Sequence, residues 1–140
     1  MLLVEILSNF LQQDLHTFDQ TPKGWRSLLR NNPTAHDYIR VAQLIDQYIA
    51  TNTPGDTTIS WHAGQLYAFA NDYRSAISRM EHSFDKNDPQ WSEYVQLTIL
   101  FLQNNKQEFV QLYSSLGDNF NKAVIDRLYQ GFGKPYSKVY

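Results

Sequence analysis

Apolar residues recur at steps of three and four along most of the chain, and no segment alternates apolar and polar residues as a strand does. This spacing places side chains on one face of an α-helix. One stripe runs through residues 2–19 and comprises Leu3, Ile6, Leu7, Phe10, Leu11, Leu15 and Phe18. A second comprises Tyr38, Ile39, Ala42, Ile45, Tyr48 and Ile49. The sequence therefore predicts an all-α fold.

Turn-forming residues divide the chain into short helices. Pro22 and Gly24 end the first helix, and Thr51–Asp56 (TNTPGD) form the clearest loop. Short connections between the later helices imply that neighbours are antiparallel. The predicted helices are 2–19, a short one at 25–29, one that starts near Thr34, 58–70, 73–84, 90–103, 107–116 and a last helix within 118–131 with Asp118 or Asn119 as its N-cap. The tail GFGKPYSKVY is expected to be extended and mobile.

A length of 140 residues is typical of one domain. We expect residues 1–140 to form a single helical domain with four parts. These are N-terminal helices at 1–56, helical hairpins at 58–116, the last helix at 118–131 and the tail at 132–140.

The run WHAGQLYAFANDYRSAISRM, which starts at Trp61, places small and large residues at a recognisable spacing. Small, aromatic, small, large and Pro residues occur in that order at Ala63-Gly64, Tyr67, Ala76, Met80 and Pro89. This is the residue order of a tetratricopeptide repeat. Pro89 falls one residue late, and Ser60 stands where the family has a bulky residue. Small side chains at Gly64 and Ala76 would let two helices approach closely. The segment resembles the tetratricopeptide family.

A shift of 34 residues, the period of that family, tests the resemblance within the chain. It carries Gly64 to Thr98, Tyr67 to Phe101 and Met80 to Ser114, and only the last pair loses its character. The same shift upstream fails. The resemblance therefore covers residues 58–116 as two degenerate repeats, with the remaining helices as caps. The alternative is a generic antiparallel bundle that has small residues at the same contacts.

Charge and composition argue against several classes of partner. Twelve Lys and Arg against 14 Asp and Glu give a net charge of −2, whereas nucleic-acid binding needs clustered cations. No apolar run approaches the roughly 20 residues of a membrane span. The N-terminus lacks the basic start of a signal peptide, and Glu5 interrupts its apolar run. Cysteine is absent, which fits the cytoplasm. We expect a cytoplasmic protein with no nucleic-acid or membrane partner.

No residue pattern predicts catalysis, a metal or a cofactor. His16, His36, His62 and His82 have no helical His-x-x-x-His spacing, and the carboxylates are scattered. No serine lies in a nucleophile motif, and no glycine-rich loop cradles a phosphate. We therefore predict no catalytic, cofactor-binding or metal-ligating residues. His62 is the most interesting of these residues, and an enzyme would gain support if it contacted a carboxylate in a deep pocket.

The resemblance implies a binding function, because tetratricopeptide proteins hold peptides in a groove lined by the first helix of each pair. It implies a groove formed by Trp61, Gln65, Phe69, Trp91, Tyr94 and Thr98. The partner would be a protein or a peptide. Two alternatives stay open at this stage. One is a stand-alone antagonist, of the immunity type, that blocks one partner protein, and the other is a homodimer formed through the aromatic faces.

Overall fold

The computed structural model describes the backbone of residues 2–140 and the side chains of residues 5–140. Throughout this part of the chain the regular structure is helical, without a strand, so the predicted all-α class is confirmed. The side chain of Leu3, which belongs to the first predicted stripe, lies outside the described residues. The α-helices are α1 Leu2–Leu11, α2 Leu15–Gln20, α3 Ala35–Asn52, α4 Thr58–Phe69, α5 Tyr73–Met80, α6 Pro89–Leu102, α7 Lys106–Ser114, α8 Lys122–Gln130 and α9 Tyr136–Val139, with 3₁₀ turns at Trp25–Leu28 and Glu81–Ser83.

Local side-chain caps explain where several helices begin. At α3, the Thr34 hydroxyl accepts from the Asp37 N–H, and the Asp37 carboxylate accepts from the Thr34 N–H. This capping box satisfies two otherwise unpaired donors of the first turn. Asp72, Asp88 and Asn105 cap α5, α6 and α7 in a simpler way. Pro89 lies in the first turn of α6, as predicted.

The predicted single helix at 2–19 was wrong, because it is divided into α1 and α2. The Asp14 side chain accepts a hydrogen bond from the Thr17 N–H at 2.8 Å and so starts a new helix. Such a cap competes with continuation of the preceding helix. The break redirects the chain, and Phe18 becomes completely buried and stacks on Tyr48 of α3 with ring centroids 3.9 Å apart.

Helices α3, α4 and α5 form the most extensively packed part of the fold. The close approach predicted at Gly64 is confirmed, because a Cβ atom added there would lie 2.6 Å from Met80 Cγ and 3.0 Å from the Ala76 carbonyl oxygen. A polar cluster joins α3 to the next two helices. The Asp46 carboxylate accepts from Tyr67 Oη at 2.7 Å and from two nitrogens of the Arg79 guanidinium at 2.9 and 3.0 Å.

The prediction of an extended tail was also wrong. Residues Tyr136–Val139 form the short helix α9, and the Tyr136 side chain is completely buried. Its aromatic ring removes a large apolar area from water, which holds the segment against the core. The last long helix, α8, begins at Lys122, and Asn121 is its N-cap residue. The prediction of Asp118 or Asn119 as the N-cap was therefore wrong. No helix within residues 2–140 has the length and apolar character needed to span a bilayer.

Candidate binding site

The first helix of each predicted pair, α4 and α6, contributes an aromatic cluster. Trp61 is only 3% exposed, and its ring lies 5.2 Å from the Trp91 ring and 4.9 Å from the Tyr94 ring, measured between centroids. Trp91 is half-buried, and its indole nitrogen donates to the Ser83 carbonyl oxygen at 2.7 Å. The structure therefore brings these three predicted residues together, with Trp61 and Tyr94 in the core and Trp91 at the edge.

The other end of the predicted groove is occupied by the protein's own C-terminal segment, residues 135–140. Phe69 makes an edge contact with Tyr136, at 5.2 Å between ring centroids, and another with Tyr140 at 5.6 Å. The Gln65 amide donates to Tyr136 Oη at 3.4 Å. Two residues predicted to contact a ligand thus contact a tyrosine-rich part of the same chain.

Thr98 does not reach the groove surface. Its side chain is completely buried, and its hydroxyl donates to the Tyr94 carbonyl oxygen one turn earlier in α6 at 2.9 Å. A threonine hydroxyl that back-bonds within its helix has no free donor for a ligand. The predicted groove residues therefore fall into an aromatic cluster of Trp61, Trp91 and Tyr94, a pair, Gln65 and Phe69, against the C-terminal segment, and the buried Thr98.

Two further features seat the C-terminal segment. The Tyr136 N–H donates to Tyr73 Oη at 2.9 Å, which satisfies a backbone donor that the short helix α9 leaves unpaired. At Gly131 the chain comes so close to Val139 that an added Cβ would lie 2.1 Å from Val139 Cγ1. The absence of a side chain at position 131 is therefore what permits this approach.

The surroundings of Tyr136 and Tyr140 are mainly aromatic, with few polar groups. Burial raises the pKa of Tyr136, although the hydrogen bond from Gln65 acts in the opposite direction. Burial, together with the neighbouring Tyr136 and Tyr140, raises the pKa of Tyr94. Both phenols therefore stay neutral at physiological pH. Such a site favours aromatic side chains with a hydroxyl group over charged ones.

The residues that contact Gln65 and Phe69 were not predicted from the sequence. Tyr136, Val139 and Tyr140 stand at positions i, i+3 and i+4, which is the spacing of one helical face. The neighbouring Gly131, Gly133 and Pro135 disfavour a helix, and they led to the prediction of an extended tail. Tyr73 gave no signal, because its contact with Tyr136 spans 63 residues.

His62, the residue singled out for possible chemistry, contacts a buried carboxylate. Its Nδ1 lies 2.8 Å from Asp19 Oδ1, and the same oxygen accepts from the Trp25 indole nitrogen at 2.9 Å. A carboxylate can only accept, so His62 carries its proton on Nδ1. Burial alone would raise the pKa of Asp19. The hydrogen bond and the electrostatic attraction of His62, together with hydrogen bonds from Trp25 and Gln20, lower it overall.

The Asp19–His62 pair orients an imidazole, as a catalytic dyad does, but general-base catalysis also needs a nucleophile within reach. Among residues 5–140, no side-chain hydroxyl makes a hydrogen bond to His62. The pair joins α2 to α4 across 43 residues of sequence. Its direct structural effect is to tie the N-terminal helices to the central ones.

The loops before α4 and α6 enclose an open depression of about 670 Å³, which Trp91 borders together with Asp56, Asp85 and Asp88. Trp91 therefore connects this depression to the aromatic cluster. In the described part of the chain, no group of three or more His, Cys, Asp or Glu side chains is arranged to hold a metal ion.

Comparison with known proteins gives no relative: no protein-family model, no curated protein and no solved structure matches this chain.

Proposed function

We propose that this protein is a non-enzymatic, tetratricopeptide-like binding module whose α4–α6 groove accepts a short aromatic segment of a partner protein. The observation that carries the proposal is the occupant already in the groove. Residues 135–140 lie against Gln65 and Phe69, two of the residues that the resemblance assigns to ligand binding. The proposed groove holds a six-residue segment of its own chain, and the proposed ligand is a segment with similar aromatic side chains.

The contacts of the C-terminal segment specify what a partner segment needs. It needs an aromatic residue that enters the position of Tyr136, which is fully buried, and a second one four residues later that covers Phe69. It also needs a free backbone N–H for Tyr73 Oη. One turn of helix with two aromatic anchors meets these conditions, as in other complexes where a helix binds in a groove. The cysteine-free chain suits the cytoplasm, where we propose that the protein acts.

The groove can be tested with a peptide supplied in trans. The protein is the full chain with Tyr136→Ala and Tyr140→Ala, so that its own segment no longer competes. The probe is a fluorescein-labelled peptide with the sequence of residues 134–140, KPYSKVY. We expect saturable binding by fluorescence anisotropy, with a Kd on the order of 10 µM, about −7 kcal/mol, for so small a contact.

Two matched controls assign the binding to the groove. Replacing both tyrosines of the peptide with alanine should abolish binding. Adding Phe69→Ala to the protein should weaken it about tenfold, the order expected for loss of one well-packed aromatic contact. Circular dichroism establishes that each protein variant is folded. A folded variant that does not bind the tyrosine peptide, or that binds both peptides equally, would overturn the proposal.

The unaltered protein should bind the same peptide much more weakly. A tethered segment competes at an effective concentration on the order of 1 mM, which would weaken a 10 µM interaction about a hundredfold. Undocking of the segment would therefore control access to the groove. A partner segment must bind more tightly than KPYSKVY, or be present at high local concentration, to displace it.

A further inference from the structure

Arg127 of α8 lies beside the C-terminal segment, residues 135–140, although it was not among the predicted groove residues. Its guanidinium carbon lies over the Tyr140 ring, 6.0 Å from the ring centroid. One turn later, the N–H of Gly131 donates to the Arg127 carbonyl oxygen, and Gly131 closely approaches the Val139 side chain. Two positions on one face of α8 therefore contact two consecutive residues of the segment.

The positive charge of Arg127 acts on the aromatic residues around it. The carboxylate next to it in sequence, Asp126, pairs with Lys122 instead. Burial raises the pKa of Tyr94 and of Tyr136, and the charge of Arg127 opposes that rise at both phenols. The guanidinium thus gives this end of the α4–α6 groove a positive electrostatic potential.

The ring of Tyr140 is the part of the segment that lies under this charge. It stacks on Tyr136, with ring centroids 5.1 Å apart and 24° between the planes, and it contacts Phe69 edge-on at 5.6 Å. These two contacts fix where the ring lies. A cation over its face adds an attraction that grows with the negative charge of that face, which is greatest for tryptophan. Fluorine atoms withdraw electrons from the ring and therefore weaken the attraction.

We propose that Arg127 is a specificity-determining residue of the α4–α6 groove, which selects an electron-rich aromatic ring at the position that Tyr140 occupies. The selection applies to the chain's own segment and to a partner segment that replaces it. This inference rests on the binding function proposed above, and it defines the second anchor of the ligand as tyrosine or tryptophan. An aliphatic side chain, or an aromatic ring that is poor in electrons, binds more weakly there. The first anchor, at the position of Tyr136, is determined by burial.

Peptides that differ only in their last ring test this role. The protein is the full chain with Tyr136→Ala and Tyr140→Ala, and the probes are fluorescein-labelled KPYSKVY and two peptides whose last residue is phenylalanine or pentafluorophenylalanine. Fluorination makes a ring more apolar, so burial alone predicts that the pentafluoro peptide binds at least as tightly as the phenylalanine peptide. We expect fluorescence anisotropy to show the opposite order. The pentafluoro peptide should bind about two- to fivefold more weakly, which is the size of an exposed cation–π contact.

Three further variants of this protein assign the difference to the charge of Arg127. Arg127→Gln should abolish it, so that the pentafluoro peptide binds as tightly as the phenylalanine peptide or more tightly. Arg127→Lys keeps the positive charge and should preserve the order of the two peptides. Arg40→Gln, a matched change at an exposed arginine of α3 that lies beside Leu7 and Leu44, should leave the ratio of their affinities unaltered. Both arginines are exposed, so these variants are expected to fold, and circular dichroism checks that they do.

The binding function and the role of Arg127 fail in different ways. If folded protein does not bind KPYSKVY, the binding function is overturned, and the role of Arg127 with it. If KPYSKVY binds but the pentafluoro peptide binds as tightly as the phenylalanine peptide, only the role of Arg127 is overturned. A preference for phenylalanine that persists in Arg127→Gln protein would overturn that role as well, because the preference would then come from another group.

Discussion

Gly131→Ala tests how the C-terminal segment is held. The backbone at Gly131 has φ −98° and ψ 16°, which alanine can adopt, so the effect of the change comes from contacts alone. The added Cβ would lie 2.1 Å from Val139 Cγ1, 3.0 Å from Val139 Cβ and 3.2 Å from the Arg127 carbonyl oxygen. The first of these distances cannot be accommodated unless the Val139 side chain changes its rotamer or α9 moves.

The size of the effect follows from two opposing contributions. Overpacking of this kind costs about 1–3 kcal/mol. Replacement of glycine by alanine restricts the unfolded chain and offsets up to about 1 kcal/mol of that cost. We therefore expect Gly131→Ala to lower the free energy of unfolding by about 1–2 kcal/mol, measured by urea denaturation.

A second substitution identifies the clash. Val139→Ala removes the Cγ1 atom that lies nearest to the new methyl group. The double variant should therefore be more stable than the sum of the single effects predicts, by about 1 kcal/mol. Two results would refute the reasoning: Gly131→Ala protein within about 0.5 kcal/mol of the unaltered chain, or single effects that simply add.

Three further predictions concern the rest of the fold. Because its pKa is lowered in the folded state, Asp19 stabilises the protein above its unfolded pKa near 4, and this stabilisation is lost as the pH falls through the lower folded pKa. Urea denaturation at pH 7 and pH 3 should show a smaller acid-induced loss for Asp19→Asn than for the unaltered protein, and equal losses would contradict this. Gly64→Val should destabilise the protein by about 1–3 kcal/mol through contact with Ala76 and Met80, whereas Gly117→Val, with nothing within 4 Å of the added Cβ, should not change the midpoint. Thr34→Ala should cost about 1 kcal/mol through loss of the capping box, and a thermal midpoint equal to that of the unaltered chain would show that the cap contributes nothing.

The sequence was sufficient for features that depend on neighbouring residues. The start of α3 follows from Thr34 and Asp37, which interact across three positions. The turn before α5 follows from Asn71, which adopts a left-handed conformation with φ 63° that asparagine tolerates. The close approach at Gly64 was also predictable, since both small residues occur within one repeat-like segment.

Features that depend on distant residues could not be predicted in the same way. Asp19 and His62 are 43 residues apart, and nothing local to either one indicates the other. The Gly- and Pro-rich stretch from Gly131 to Pro135 indicated a loose end, yet Tyr136 beyond it is completely buried by α4, α6 and Tyr73. Tertiary burial outweighs local propensity in a helix of only four residues. For the same reason, the contacts of Tyr136 and Tyr140 with Gln65 and Phe69 were not predicted.

Hydrogen–deuterium exchange of residues 134–140 tests the central claim, that the protein's own segment and a partner segment share one groove. The backbone N–H groups of Tyr136, Lys138 and Tyr140 are all hydrogen-bonded in the docked segment. With the trans peptide KPYSKVY at about 1 mM, comparable to the effective concentration of the tethered segment, we expect faster exchange at these three positions. The amides of α4 and α6 should stay protected, and the alanine-substituted peptide should have no effect. Binding of the peptide with unchanged exchange in residues 134–140 would contradict the account, because the two segments would then occupy different sites.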